Sequence, residues 1–381
     1  DPATTKGLVK REIIRVVTPG TMMESKALSD KANNYMICVT ELDGKMALAA
    51  CDLSTGELHV TSSPTSQEWL RDELGLYEPS EIIGHVNLVD DAYRQAAQFG
   101  RKIVYTPWEK QRAELARQQF GEAAWARLDE ERQACVALLI AYLSETQKRS
   151  LGQLTHINAY EPENYMILDP FTRRNLELVE TVRERSRKGT LLWLLDRTET
   201  PMGGRMLRRW IDKPLLSKRL VEERLEAVEK LHQGLILRED LKGQLKGIYD
   251  LERLVGRMAF GTANGRDMLA LRDSLLRIPD LRQMCADSPS STLQQDQGKH
   301  VLIPGFLIIL QVFVPAHKKE YEDRCNNQKV KQNNNRFHIS RISNSLHLIL
   351  LAIQGANVRN FKGYSDIYGS GRKPATADGP E

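Results

Sequence analysis

Residues 34–61 read NYMICVTELDGKMALAACDLSTGELHVT, and this stretch decides the first half of the fold. It contains three apolar runs: Tyr35 to Glu41, Met46 to Leu53, and Leu58 to Thr61. Asp43-Gly44 separates the first two. This pair tolerates the positive φ that a two-residue hairpin needs to match the twist of its strands. Ser54-Thr55-Gly56 turns the chain again. The expectation is an antiparallel meander of three strands.

Downstream the period changes. Gln67 to Leu74 reads as a short helix, Glu81-Ile82-Ile83-Gly84 as a short buried strand, Asp90 to Phe99 as a helix, and Lys102 to Thr106 as another strand. Leu128, Cys135, Leu138 and Tyr142 recur at helical spacing and mark a long helix. Three antiparallel strands followed by α-β-α-β-α is the element order of an RNase H-like domain. That order alone does not separate a nuclease from an inert relative. Upstream, Val9 to Pro19, with Ile13, Ile14, Val16 and Val17, reads as a strand ending at Pro19-Gly20.

Beyond Ser150 strand signals nearly vanish, with Tyr165 to Leu168 a short exception. Asp169-Pro170 opens a helix on which Phe171, Leu178 and Val182 share a face. Leu191 to Leu195, with Trp193 at its middle, is wholly apolar and reads as a helix buried on most sides. Thr200-Pro201 gives an N-cap and a proline at the first helical position. Met206, Leu207, Trp210 and Ile211 form that helix's stripe, and Asp212-Lys213-Pro214 stops it. Val221, Leu225 and Val228 make the next stripe, Tyr249 to Met258 follows, and Asn264 caps a helix running to Arg277. This is an all-α region. From about Asp287 the texture is that of a linker, then of an Asn/Gln/Lys-rich stretch and a Gly/Pro/Ala tail, for which low order is expected.

Composition fits this layout. Of the 381 residues 41% are apolar and 27% charged, enough for a packed body of two or three domains. A formal charge of +4 does not by itself argue for nucleic acid. Charge is uneven, however: Asp169 to Arg219 holds 13 Lys/Arg against 7 Asp/Glu, either a solvated face or a phosphate-facing one. Five cysteines without a C-x-x-C pair suggest neither zinc nor a disulfide framework, and a reducing cytoplasm is the simplest setting. Val301 to Val314 is too short to span a bilayer and contains Pro304 and Gly305. The Asp-Pro-Ala start, without Met or an apolar targeting segment, reads as the interior of a longer frame.

The helical region also carries long, ordered motifs. Asp169-Pro170-Phe171-Thr172-Arg173-Arg174-Asn175-Leu176-Glu177-Leu178 resembles the opening of the core domain of the MutS family. So do Lys188-Gly189-Thr190-Leu191-Leu192-Trp193-Leu194-Leu195-Asp196 and the run from Thr200-Pro201-Met202-Gly203-Gly204-Arg205 to Trp210-Ile211 and Pro214-Leu215. Tyr249-Asp250-Leu251-Glu252-Arg253-Leu254 with Gly256-Arg257 is similar to its later helices. Asp1 to Thr21, including Lys10-Arg11-Glu12 and Thr18-Pro19-Gly20-Thr21, resembles the join into that family's connector domain, and Asp52-Leu53-Ser54-Thr55-Gly56-Glu57 resembles the connector itself.

The resemblance, over roughly residues 1–285, implies the following organisation. Residues 1–21 end the mismatch-binding domain and its linker. Residues 22–150 form the connector, RNase H-like α/β. Residues 151–286 form part of a helical core or lever domain, and 287–381 are an unmatched tail of low order, such as a frameshift would produce. The fold class is thus multidomain, α/β plus all-α. The resemblance further implies a piece of a DNA mismatch-repair protein, cytoplasmic and nucleoid-associated, with no membrane. The parent's partners would be mismatched double-stranded DNA and a MutL-type repair protein, and the intact parent would be a homodimer. ATP and Mg belong to the parent's ATPase domain. This chain is expected to hold no cofactor and no catalytic residue. Arg173, Arg174, Arg187 and Lys188 are the candidates for residual phosphate contact. Gly203-Gly204 is expected to admit a neighbouring helix, and Trp193 and Trp210 to anchor the core.

Several strings imitate chemistry. Phe120-Gly121-Glu122 matches the family's Phe-x-Glu mismatch reader but lies in the connector, and reads as an accident. No G-x-x-x-x-G-K-[ST] occurs, and Gly369-Ser370-Gly371-Arg372-Lys373 is followed by Pro374 where a hydroxyl is needed. A Mg-dependent RNase H-like nuclease is the alternative. Asp52 ends a central strand with Glu57 and Asp43 nearby, but such catalysis needs further convergent carboxylates. His59, His85 and His156 are scattered without ligand spacing.

Overall fold

The computed structural model describes residues 13–24, 27–97 and 103–286. The expectations for residues 1–12 and 287–381 fall outside these. The meander forms as expected: β1 (Met36–Leu42), β2 (Lys45–Asp52) and β3 (Glu57–Pro64) pair antiparallel, with Met36 opposite Cys51 and Leu42 opposite Lys45. Asp43 and Gly44 close the first hairpin, both with positive φ (49° and 75°). Then come α1 (Gln67–Tyr77), β4 (Glu81–Gly84), α2 (Val86–Ala97) and β5 (Val104–Pro107), and after them α3 (Ala113–Phe120), α4 (Glu122–Trp125) and α5 (Glu130–Gln147). β4 lies parallel to β1, and β5 parallel to β4.

The two-residue strand β6 (Asn158–Ala159) pairs parallel with β3 and has no hydrophobic signature in the sequence. The sheet order is β5-β4-β1-β2-β3-β6. At the β5 edge Pro107 removes one backbone donor, which blunts that edge.

Both faces of the sheet are covered, which explains why its runs are apolar rather than alternating. Met36, Cys38, Ala47, Ala49 and Cys51 face α5, whose buried residues run from Glu131 to Gln147 on nearly every side. Ile37, Val39, Met46, Leu48 and Ala50 face α1 and α2 through Leu70, Leu74 and Val89. Under the α5 face, the carboxyl of Glu81 accepts from Tyr142 Oη (2.5 Å), Thr106 Oγ1 (3.0 Å), Thr18 Oγ1 and the Gly20 N–H (3.1 Å). One fully buried group thus ties β4, β5, α5 and the incoming segment together.

The incoming segment corrects one expectation. Residues 13–18 are not a strand. They run past the end of α5, where the Val16 N–H donates to the Thr146 carbonyl and Gln147 Nε2 donates back to the Val16 carbonyl. Apolar residues there had no sheet edge to join, and Ile13 and Ile14 stay exposed.

The second half is helical: α6 (Pro170–Asn175), α7 (Leu191–Leu195), α8 (Pro201–Asp212), α9 (Lys218–Gln233), α10 (Leu235–Leu245), α11 (Leu251–Ala259), α12 (Gly265–Leu275) and α13 (Ile278–Ala286). The N-caps are as the sequence suggested: Asp169, Thr200 and Asn264 each accept backbone N–H groups of the first turn. Tyr165 makes only an isolated bridge to Leu215, not a strand.

Three expectations fail. The helix opened by Asp169-Pro170 stops at Asn175, because Glu177 takes positive φ. Leu178 is buried from the loop beyond it, while Phe171 and Val182 are exposed. The apolar α7 is not enclosed: only Leu192 is buried, with Trp193, Leu194 and Leu195 45–58% exposed. The Val221, Leu225 and Val228 stripe of α9 also faces outward. An apolar string of five residues carries no information about which side meets protein.

The Glu81 network gives a test of the fold. Glu81→Ala leaves the Tyr142 hydroxyl and the Gly20 amide buried without their acceptor and should cost about 3–5 kcal/mol, the range for breaking a buried polar network. Urea denaturation followed by circular dichroism measures it, and Glu81→Gln should recover at least half of the loss.

Candidate functional site

α8 meets the sheet through charge. Arg205, Arg208, Arg209 and Asp212 fall at helical spacing, so they share one face. Arg208 Nη2 donates to Glu78 just beyond α1 (2.7 Å) and its Nε faces Asp212 at 3.5 Å. Arg209 donates to Glu57 at the start of β3. Arg205, 2% exposed, spends every N–H: Nη1 on Asp250 (2.8 Å) and the Asp30 carbonyl (2.8 Å), Nη2 on Asp250 (2.7 Å) and Glu252 (2.6 Å), Nε on Glu252 (3.2 Å). Burial works against that guanidinium's charge, but the two carboxylates more than offset it and its pKa rises.

Beside this lies an aromatic group. Tyr35 sits edge-on to Tyr77 (centroids 5.0 Å) and to His59, and Tyr77 Oη donates to Tyr160 Oη (3.1 Å), which donates to Glu73 (2.5 Å). The ammonium of Lys213 lies 3.6 Å from the Tyr160 ring centre and 4.9 Å from that of Tyr77, and donates to Tyr77 Oη at 3.1 Å.

Burial pushes all three tyrosine hydroxyls up and pulls His59 down. It also lowers Lys213 to about 8. Burial would raise Glu57 too, but Arg209, His59 and Tyr35 hold it well below the carboxylate range. Between sheet and helices Tyr35, His59, Tyr77, Arg208, Arg209 and Lys213 line a cavity of about 280 Å³.

A latch completes the joint. Lys31 Nζ donates to Asp196 Oδ1 and Oδ2 (both 3.1 Å), to Thr198 Oγ1 (3.0 Å) and to the Thr198 carbonyl (2.9 Å). Its stem crosses Gly204, where an added Cβ would lie 2.6 Å from Lys31 Cδ. The neighbour that requires Gly204 is therefore a lysine stem, not a helix. Gly256 of α11 does approach backbone, with 2.5 Å between its virtual Cβ and the Ser54 carbonyl. Phe260 enters the core of the sheet, and its carbonyl accepts from Arg149 (2.9 Å).

The residues singled out from sequence are dispersed. Arg173 is 5% exposed and ion-paired with Asp212 (2.6 Å). Arg187 is exposed and pairs with Asp196, while Arg174 and Lys188 are exposed. Asp52 accepts from Asn33 Nδ2, the Asn34 N–H, the Ser54 N–H and Ser54 Oγ, all within 3.1 Å, so its role is to shape the turn before β3. Asp43 sits at the exposed hairpin tip. Among the described residues no three His, Cys, Asp or Glu side chains are placed to hold a metal ion.

Phe120 packs against the α5 core. His59 joins the aromatic group, whereas His85 and His156 do not. Trp210 is only partly covered, stacked by Arg224 at 3.9 Å. The sequence reading missed Arg205, Arg209, Lys213, Tyr77 and Tyr160. The one available signal was the spacing of Arg205, Arg208 and Arg209 with Asp212.

Comparison with known proteins follows the same division. A family model described as MutS domain II matches residues 34–158, and one described as MutS domain III matches residues 171–346. The chain is 44% identical over 297 residues to the DNA mismatch repair protein MutS of Brevibacillus brevis, covering 77% of this chain and 33% of that protein. It is 43% identical over 306 residues to the protein of the same name from Desulforamulus reducens, covering 77% and 35%. Against that of Staphylococcus carnosus it is 38% identical over 295 residues, covering 77% and 33%. The chain thus spans about a third of the length of these relatives. No helix among the described residues is long and apolar enough to cross a membrane.

Two tests address the joint. Gly204→Ala forces the Lys31 stem aside and should cost about 1–3 kcal/mol, the range for overpacking, with Lys31→Ala in the same chain recovering part of it. For Lys213, the folded state favours the neutral amine. Its cost is therefore complete below about pH 8 and disappears as pH rises toward the ordinary 10.5. Stability of the wild type relative to Lys213→Met should rise across that window, read from urea midpoints.

Proposed function

This chain belongs to the MutS family, and on that premise we propose that it serves DNA mismatch repair as the connector and lever of a longer mismatch-recognition protein. The observation that carries this reading is the joint itself. Arg205, Arg208, Arg209 and Lys31 bind the helices to the sheet and the loop ahead of β1 through carboxylates, carbonyls and hydroxyls rather than through apolar surface alone. Charged contacts of this kind are directional, so a rotation of one part moves the other with it.

The meander followed by alternating helices and strands supports an RNase H-like connector over residues 22–150, with a partial core or lever from 151 that, by the extent of the match to MutS domain III, continues past 286 to about residue 346. The whole protein would bind mismatched duplex and ATP with Mg through regions beyond these, form a homodimer, signal to a MutL-type partner, and work in the cytoplasm at the nucleoid. The piece itself would be no enzyme. Arg174 and Lys188, with Arg187 when it leaves Asp196, would supply residual phosphate contact. Arg173 is better suited to hold Asp212 from inside.

Electrophoretic mobility shift with the purified 381-residue protein tests this. Matched and mismatched duplexes should bind equally and weakly, with affinity falling steeply as salt rises. Arg174→Glu combined with Lys188→Glu should weaken both alike by about tenfold, in line with the loss of two phosphate contacts. Mismatch-selective binding, or ATP hydrolysis by the pure chain, would sink the reading.

A further inference from the structure

A second cavity, of about 120 Å³, is bounded by the end of α1, by α6 and by the loop beyond α6. Its wall includes Arg173 and Arg174 of α6 and Arg185 of the loop, together with Glu78 and Glu180. Arg173 is 5% exposed and gives Nη2 to Asp212 (2.6 Å). Its Nη1 is enclosed and has no hydrogen-bond partner among the described residues. Asp212 has no second oxygen for it, because Oδ2 faces Arg208 Nε at 3.5 Å. A buried guanidinium N–H without an acceptor is costly, so the acceptor is expected from a ligand in the cavity.

We propose that this cavity is a phosphate site, in which Arg173 meets the anion from inside and Arg174 and Arg185 close on it from the rim. The site shares Arg174 with the repair reading but does not rest on it, since a free phosphate would fill the same cavity. Its failure would leave the repair role untouched.

The surrounding charges favour an anion. Among the described residues at the wall, three guanidiniums stand against two carboxylates. Glu78 is already held by Arg208 (2.7 Å), and Asp212, behind Arg173, is shared by Arg173 and Arg208. Adding Arg208 and Asp212 to the count leaves the excess of cations as it is. On α1, Arg71 and Asp72 face each other at 3.9 Å, and Asp169, at the other end of α6, spends its carboxyl on the first turn of that helix. The stretch around the cavity, from Asp169 to Arg219, holds 13 Lys/Arg against 7 Asp/Glu.

Room and shape agree with charge. A water needs roughly 10–15 Å³ of such space, so the cavity holds several waters or one tetrahedral oxyanion. The planar fork of a guanidinium matches the oxygens of a phosphate, and the bond between them is charge-assisted. Water would satisfy Nη1 but leave the surplus of positive charge. A phosphate answers both.

The experiment uses the full 381-residue chain and inorganic phosphate as the probe. Thermal midpoints are followed by circular dichroism in phosphate and in sodium chloride of equal ionic strength and pH. A ligand that binds only the folded chain raises its stability with concentration, so phosphate should lift the wild-type midpoint above that in chloride. Arg174→Gln should weaken the apparent affinity about tenfold, as for the loss of one hydrogen bond to a charged group. Arg173→Lys keeps a cation for Asp212 but withdraws the second N–H, and should abolish the rise. A midpoint no higher in phosphate than in chloride means that water fills the cavity, and overturns the proposal. A rise that Arg174→Gln leaves unweakened overturns it equally, since the anion then binds elsewhere. Should Arg173→Lys not fold, Arg174→Gln alone decides. The same measurement with a short DNA duplex identifies the source of the phosphate. A duplex effect that depends on Arg174 makes it a nucleic-acid backbone, and no duplex effect beside an intact phosphate rise makes it a free phosphate.

Discussion

A guanidinium does not shed its charge at any pH a protein meets. Once Arg205 is enclosed between α8, α11 and the loop before β1, each of its N–H groups must find an acceptor there. It finds Asp250, Glu252 and the Asp30 carbonyl. Those acceptors fix the start of α11, whose next turns bring Gly256 against the Ser54 carbonyl and Phe260 into the core of the sheet. The angle between the helices and the sheet is thus set by one side chain whose alternatives all leave a buried charge unpaired. Such an arrangement is a poor way to gain stability and a good way to allow only one geometry.

The sheet was legible in the sequence because its signals are local. Asp43-Gly44 demands a hairpin, and Glu81-Ile82-Ile83-Gly84 is too short and too apolar to be anything but a covered strand. The helix caps at Asp169, Thr200 and Asn264 were equally plain, since a cap is a contact between near neighbours. The joint was not legible. Glu57 meets Arg209 across 152 residues, and Arg205 meets Asp30 across 175. No periodicity encodes which arginine of a basic face will be buried. The four basic residues picked from the dense run illustrate this: Arg173 lies inside the protein and Lys188 outside, from the same composition. β6 left no trace because two residues, Asn158 and Ala159, that borrow a sheet edge look like loop.

The two halves also differ in how they treat apolar surface. The sheet is sandwiched, with α5 on one face and α1 and α2 on the other. The helical half leaves much apolar surface open, with Trp193, Leu194 and Leu195 of α7 and Leu225 and Val228 of α9 exposed. Apolar helix surface is ordinarily buried against a second layer, and this chain covers about a third of the relatives it matches. The polar joint explains how helices with so much open apolar surface can still be oriented: ion pairs with the sheet side, together with Phe260 in its core, hold them in place.

At Asp30 and Ala32 the loop ahead of β1 is gripped by its main chain. Arg205 holds the Asp30 carbonyl, Arg253 holds the Ala32 carbonyl, and the Lys31 side chain between them is pinned on Asp196 and Thr198. A carbonyl is the same in every residue, so Asp30 and Ala32 are read for where they stand and not for what they are. Exchanges at these two positions should pass nearly unnoticed. A single inserted or deleted residue between Lys31 and Met36 would turn every grip by one place, leaving the arginines to close on the wrong atoms. What this segment conveys between the two halves is its length.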